Sequence, residues 1–214
     1  MVKKNVSLKN TLQALVDDYL NTPYQFKNDE NAMTYQENHE EYLDSLKNFA
    51  EMICGLEGNE VGKLPYRLDT HQRYYRFPSK QHWVTEHAKT LKTLPESFKN
   101  FEELHEKVKE MKLHGFGPTT IYDFALRFGH HLSPKLEPQE YVYLHTGPAE
   151  AAKTLWEKGY FKGIADIEKM IKKESKIPRE LFPKEIKESA MTTVDIEHFL
   201  CCYKKKLKEI NEKK

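Results

Sequence analysis

Leu113-His114-Gly115-Phe116-Gly117-Pro118-Thr119-Thr120 separates two segments of helical periodicity, and its reading decides the architecture of this 214-residue chain. Before it, Phe101, Leu104, Val108 and Met111 fall on one helix face, and Asn100 with Glu103 has the spacing of a reciprocal cap. After it, Pro118 suits the first helical position and Ile121, Phe124, Ala125 and Phe128 make a second apolar face that Gly129 is expected to close. Two glycines allow a turn closed to residues with a Cβ and let a phosphate reach the backbone, where the amides of the next helix point at it. Phe116 is then an apolar plug beneath the turn. The same Gly-x-Gly also makes a tight structural turn without a ligand, and the residues alone leave both readings open.

Working outward, Leu8, Leu12, Leu15, Val16 and Tyr19 predict a first helix that stops by Pro23, and Leu43, Leu46, Phe49, Ala50 and Ile53 predict a second ending at Gly55. Periodicity fails from Leu56 to Phe77, so residues 64–77 are expected to be irregular or briefly extended. Trp83, Val84, His87, Ala88, Leu91 and Leu94 restore the helical repeat, with Ser79 as a candidate cap. Tyr141 to His145 is a short buried or alternating run, poor grounds for a sheet. A helix from about Pro148 carries Ala151, Ala152, Leu155 and Trp156 and ends at Gly159; another carries Ile164, Ile167, Met170 and Ile171. Ile196, Phe199, Leu200, Tyr203, Leu207 and Ile210 predict a final helix with Lys204, Lys205 and Lys206 toward solvent. The expected fold is all-α: a single helical domain over 1–214, with 149–214 as a candidate C-terminal subdomain.

The stretch from about residue 98 to 129 resembles the helix-hairpin-helix motif of nucleic-acid-binding proteins, nearest the DNA glycosylase-like branch. That resemblance implies phosphate contacts that position a strand without reading its sequence. Lyase members of the branch carry a lysine just after the hairpin glycines, where this chain has Pro118, Thr119 or Thr120. They also carry an aspartate in a later segment, which aligns here with Tyr141-Val142-Tyr143-Leu144-His145 and places Tyr143 at the acid's position. The cysteine set of iron-sulfur members is missing. A threonine cannot form the amine adduct, and a tyrosine does not replace a carboxylate beside a developing cationic sugar. Asp123 is the alternative acid, with a helix-surface or network role as its plainer reading. Asp123, Tyr143 and His145 together make the candidate pocket, and His145 alternatively hydrogen-bonds at the start of the helix near Pro148.

Composition sets the outer limits. Thirty-four Lys and Arg nearly cancel thirty-three Asp and Glu, which excludes a strongly basic tail and an acidic polyelectrolyte. The charges are unevenly spread: residues 1–60 hold five basic and eleven acidic groups, and residues 61–100 hold eight and three. Arg67, Arg73, Arg76 and Lys80 interleave with Tyr66, Tyr74, Tyr75, Phe77 and Trp83. Cations neutralise phosphates and exposed rings stack on unpaired bases, so this stretch is a second candidate nucleic-acid surface. Its plainer reading is core rings and solvated arginines.

Cys54, Cys201 and Cys202 form neither a disulfide framework nor a zinc-type set, and the ten histidines complete no metal motif, so no cofactor or metal is expected. Asp195 and Glu197 neighbour His198, but adjacency makes no catalytic pair. With no signal-like or spanning apolar run, a soluble cytoplasmic protein is expected, with DNA as first partner, RNA as second, and no membrane. The candidate binding residues are Gly115, Phe116, Gly117, Thr119, Thr120, Arg67, Arg73, Arg76 and Lys80. Two other functions compete: a monofunctional base-excision enzyme related to DNA repair glycosylases, and a scaffold that binds acidic protein surfaces.

Overall fold

A computed structural model describes residues 11–21, 93–95, 97–114 and 116–213. The helix expected over Leu43 to Ile53, most of that around Trp83, the 64–77 segment, Cys54, Gly115, Arg67, Arg73, Arg76 and Lys80 lie outside the described residues. Those described are mostly helical, with one small two-stranded antiparallel sheet. They fall into two compact units, one joining residues 11–21 to 139–213 and the other within residues 93–138.

The first unit is built around α7 (Thr193–Leu207), whose Ile196, Phe199, Leu200 and Leu207 are fully buried and whose Tyr203 is nearly so. Thr192 starts this helix: its hydroxyl accepts from the Asp195 amide at 3.1 Å, and the Asp195 carboxylate accepts from the Thr192 amide at 2.9 Å. Asp195, noted beside His198 in sequence, is therefore committed to this reciprocal cap. α1 (Leu12–Asn21) and α4 (Thr146–Glu157) pack on α7 with the stripes expected of them: Leu12, Leu15, Val16 and Tyr19 from one, Ala151, Ala152 and Leu155 from the other. Burial of each of the larger apolar side chains contributes roughly 1.5–3 kcal/mol.

The sheet corrects one expectation. β1 (Tyr141–Tyr143) pairs with β2 (Lys176–Pro178), with Val142 opposite Ile177 and both fully buried against the core. Amide bonds from Leu144 to Ser175 and from Arg179 to Glu140, both 2.8 Å, extend the pairing. Three residues are too few to display an alternating pattern, and the partner strand lies across α4 and α5 (Ile167–Glu174) in sequence. α4 begins at Thr146, ahead of Pro148, and Gly159 takes φ +78 just beyond its end. α5 is capped by Asp166, whose carboxylate accepts from the Lys169 amide at 2.9 Å.

α6 (Lys184–Lys187) follows a short 3-10 turn. α7 stops at Leu207, so Ile210 is buried from the tail rather than from the helix. The tail is held by Lys158, which donates to the Ile210 carbonyl at 2.7 Å, by the Tyr160 hydroxyl, which donates to the Asn211 carbonyl at 3.0 Å, and by the Lys213 ammonium on Glu185 at 2.8 Å. The lysines at the end of α7 and just beyond it are less free than expected: Lys204 and Lys208 both reach Glu150, and Lys206 reaches Asp18 at 2.8 Å.

In the second unit, α2 (Phe101–Glu110) and α3 (Pro118–His131) pack through Phe101, Leu104 and Val108 against Tyr122, Phe124, Ala125 and Phe128. The cap of α2 is shifted from the expected box. The Asn100 side chain accepts from the Glu103 amide at 2.9 Å, but the Glu103 carboxylate accepts from the Lys99 amide at 2.7 Å, one residue earlier. Gly129 does not close α3; it lies inside the helix, and its carbonyl accepts the amides of Leu132 and Leu136 as the chain folds back. A Cβ on Gly129 would overlap the Leu136 carbonyl oxygen.

Gly129→Ala is therefore expected to force residues 132–136 off α3 and to destabilise by about 2 kcal/mol, read as a lowered urea midpoint. A second prediction concerns acid. Burial raises the Glu185 carboxyl, but the Lys213 hydrogen bond, a backbone amide and the charges of Lys213 and Lys184 outweigh it, leaving the group below its usual range. A lowered folded-state pKa contributes stability at neutral pH that is lost as pH falls through that pKa. Glu185→Gln is expected to lower stability at pH 7 and to flatten the acid limb of a stability-versus-pH curve; an acid limb identical to the parent's would refute this.

Candidate functional site

The turn between α2 and α3 is built by backbone constraints. Met111 and Lys112 close α2 through amide bonds to the Val108 and Lys109 carbonyls at 3.3 and 3.2 Å, and Lys112 takes φ +48. The Phe116 amide then donates to the Leu113 carbonyl at 3.1 Å, and the Ile121 amide donates to the Gly117 carbonyl at 3.0 Å to start α3. Pro118 stands at the first helical position, where a missing N–H costs nothing. The Phe116 ring lies 6.0 Å from Phe124, which stacks on Phe128 at 6.0 Å. Phe116 is half-buried at the head of an aromatic row.

Gly117 differs from the expectation drawn from sequence. Its φ of −81 and ψ of 176 are open to any residue, and a Cβ built on it meets nothing within 4 Å. Neither its conformation nor packing among the described residues requires glycine there. As the N-cap of α3 it supplies no side-chain hydrogen bond, and the first turn carries no acidic residue. Asn100, Asp166 and Thr192 cap α2, α5 and α7 with side-chain oxygens. Gly117 and Pro118 are exposed and Thr119 and Thr120 half-buried, so the positive end of α3 opens at the surface of its unit. Lys107 and Lys109 nearby are matched by Glu110 and Glu106 at 3.8 and 3.0 Å. Lys112 and His114 are exposed in the turn itself.

The three residues proposed for a pocket are placed differently from one another. Asp123 is 6% exposed on α3, so a helix-surface position is ruled out. Tyr143 is 3% exposed in β1, opposite Lys176. Both belong to separate units. His145 is the N-cap residue of α4 but makes no side-chain cap. Its Nε2 lies 3.0 Å from Glu197 Oε1, with side-chain exposures of 8% and 12%, a pair joining α4's start to α7. The role suggested for His145 at the helix start thus passes to its backbone, whose carbonyl accepts from Ala149 at 2.8 Å.

A further cluster between α1 and α7 was only half legible in the sequence. His198 Nδ1 is 3.1 Å from the Tyr19 hydroxyl and its Nε2 is 3.2 Å from Cys202 Sγ. One turn on, the Tyr203 hydroxyl donates to Asp18 at 3.1 Å, and Lys206 donates to the same oxygen at 2.8 Å. Burial and the Asp18 carboxylate together push the Tyr203 hydroxyl up, so it stays a proton donor. The spacing of His198 and Cys202, four apart on a helix, was available in sequence. Their partner Tyr19, 179 residues away, was not.

Among the described residues no group of three or more His, Cys, Asp or Glu could hold a metal ion, and no helix is long and apolar enough to cross a membrane. No family model matches the chain, and no curated protein or solved structure is significantly similar to it.

The His145–Glu197 pair makes a sharp prediction. His145 Nε2 and Glu197 Oε1 approach to 3.0 Å outside hydrogen-bond geometry, so His145→Leu and Glu197→Leu are each expected to cost about 1 kcal/mol. The double replacement should cost less than the sum of the two, a coupling read by a denaturant double-mutant cycle.

Proposed function

We propose that this protein associates with nucleic acid, holding phosphate backbone at the Gly115 to Thr120 turn, and that α2 and α3 form a helix-hairpin-helix related to the DNA glycosylase-like branch without lyase activity. What carries the reading is Gly117. A glycine that neither backbone conformation nor packing among the described residues requires stands at the N-terminus of a helix with no side-chain cap and no acid in its first turn. Glycine there leaves room for an outside group to approach the amides of Thr119 and Thr120, which have no intrahelical acceptors. A phosphate oxygen is the chemistry that such amides and a helix dipole favour.

The binding is of the positioning kind, with little base preference. α2 carries as many acidic as basic groups near the turn, so long-range attraction has to come from elsewhere, and Arg67, Arg73, Arg76 and Lys80 are the residues proposed to supply it. DNA is the first partner and RNA the second. The non-lyase reading is supported by the threonines and proline that stand where an amine would be needed. Asp123, the nearest alternative acid, is buried on α3.

Gly117→Asp tests this in the full chain. Aspartate is a favoured N-cap, so the melting temperature should hold or rise slightly. Its carboxylate would occupy the place of the phosphate and repel it. Fluorescence anisotropy with single-stranded and duplex DNA, and with single-stranded RNA, should show binding by the parent that weakens as salt rises, and an affinity at least about tenfold lower for the variant. Undiminished binding by a folded Gly117→Asp protein, or no salt-sensitive binding by the parent, would overturn the proposal.

A further inference from the structure

We infer that Cys202 is a reactive thiol, with His198 as its base and Tyr19 as the group that orients the imidazole, and that it is a site of oxidation by hydroperoxides. The carrying observation is the alignment Cys202 Sγ, His198 Nε2, His198 Nδ1, Tyr19 Oη, with contacts of 3.2 and 3.1 Å at the two ring nitrogens. A nucleophile within reach of a base that is itself held by a third side chain is the arrangement that activates thiols. The base is fixed from both sides of the helix pair. Tyr19 is 2% exposed and wedged edge-on against Phe199 and Tyr203, so its hydroxyl has little freedom to swing away. Cys202 itself is only half-buried, which gives a small reagent access.

In the tautomer that carries its hydrogen on Nδ1 and donates it to the tyrosine oxygen, Nε2 presents its lone pair to the thiol and takes its proton, leaving a thiolate beside an imidazolium. Among the described residues the other titratable groups around the pair are Tyr203 and Lys206 on the same helix and Asp18 on α1, while Glu197 lies 3.0 Å from His145, and Lys204 reaches Glu150. Lys206 and Asp18 face each other and largely cancel. The thiolate attacks the terminal oxygen of a hydroperoxide: the S–O bond forms and the O–O bond breaks. Sulfur is oxidised by two electrons to sulfenic acid, and the departing alkoxide or hydroxide takes the proton held by His198.

Cys201, the next residue along, is an internal control because it is the more exposed thiol. The full-length protein is treated with substoichiometric hydrogen peroxide, sulfenic acid is trapped with dimedone, and fragmentation mass spectrometry assigns the adduct to Cys201 or Cys202. Cys202 is expected to dominate against the order of exposure. His198→Gln should slow Cys202 about tenfold, leave Cys201 unchanged, and return the rate-versus-pH profile to that of an ordinary thiol near pH 8.5. Tyr19→Phe, which keeps the ring in the core, should give a smaller loss confined to Cys202. A Cys201 adduct in excess of Cys202 in the parent overturns the inference whatever the variants do. So does a folded His198→Gln or Tyr19→Phe protein whose Cys202 rate and pH profile match the parent's.

Discussion

The first unit depends on the burial of one helix. α7 has no exposed apolar face to spare: Ile196, Phe199, Leu200 and Leu207 are sealed from water by α1, α4 and β1. Each neighbour is fixed by what it must cover. α4 supplies alanines where the helices approach closely, β1 supplies Val142, and α1 supplies Leu12, Leu15, Val16 and Tyr19. Polar groups meet across the same contacts at the margin of this core: His145 lies 3.0 Å from Glu197, and the Tyr203 hydroxyl donates to Asp18. Apolar burial supplies the bulk of the stabilisation.

The local elements were legible because they obey local rules. The stripes of α1, α2, α4 and α7 recur at helical spacing, and Gly159 takes the left-handed conformation expected of a terminator. The misreadings came where a long-range contact decides. β1 and β2 are three residues each and take their identity from one another, not from a pattern within either. Gly129 reads as a helix stop, but the reason for glycine there is the returning chain at Leu136. Asp195 and Glu197 sit beside His198 in sequence, yet one caps its own helix and the other reaches His145.

The candidate site divides in the same way. The turn at Leu113 to Thr120, its proline and its apolar flanks were visible in the residues, as was Phe116 between the glycines. The reason for Gly117 was not. Sequence suggests a strained backbone, whereas the residue has an ordinary extended conformation facing open space. The cluster around Cys202 shows the opposite case: half of it, the four-residue step from His198, is written on one helix, and the half that orients the imidazole comes from the far end of the chain.

That distance has a consequence for biogenesis. Tyr19 meets His198 across 179 residues, with an entire second unit encoded between them. As the polypeptide leaves the ribosome, the apolar side of α1 emerges well before its docking surface on α7. The first unit therefore cannot close until α7 has been made. Nascent chains stalled before α7 should present α1 to chaperones, making this short segment the natural point of holdase engagement.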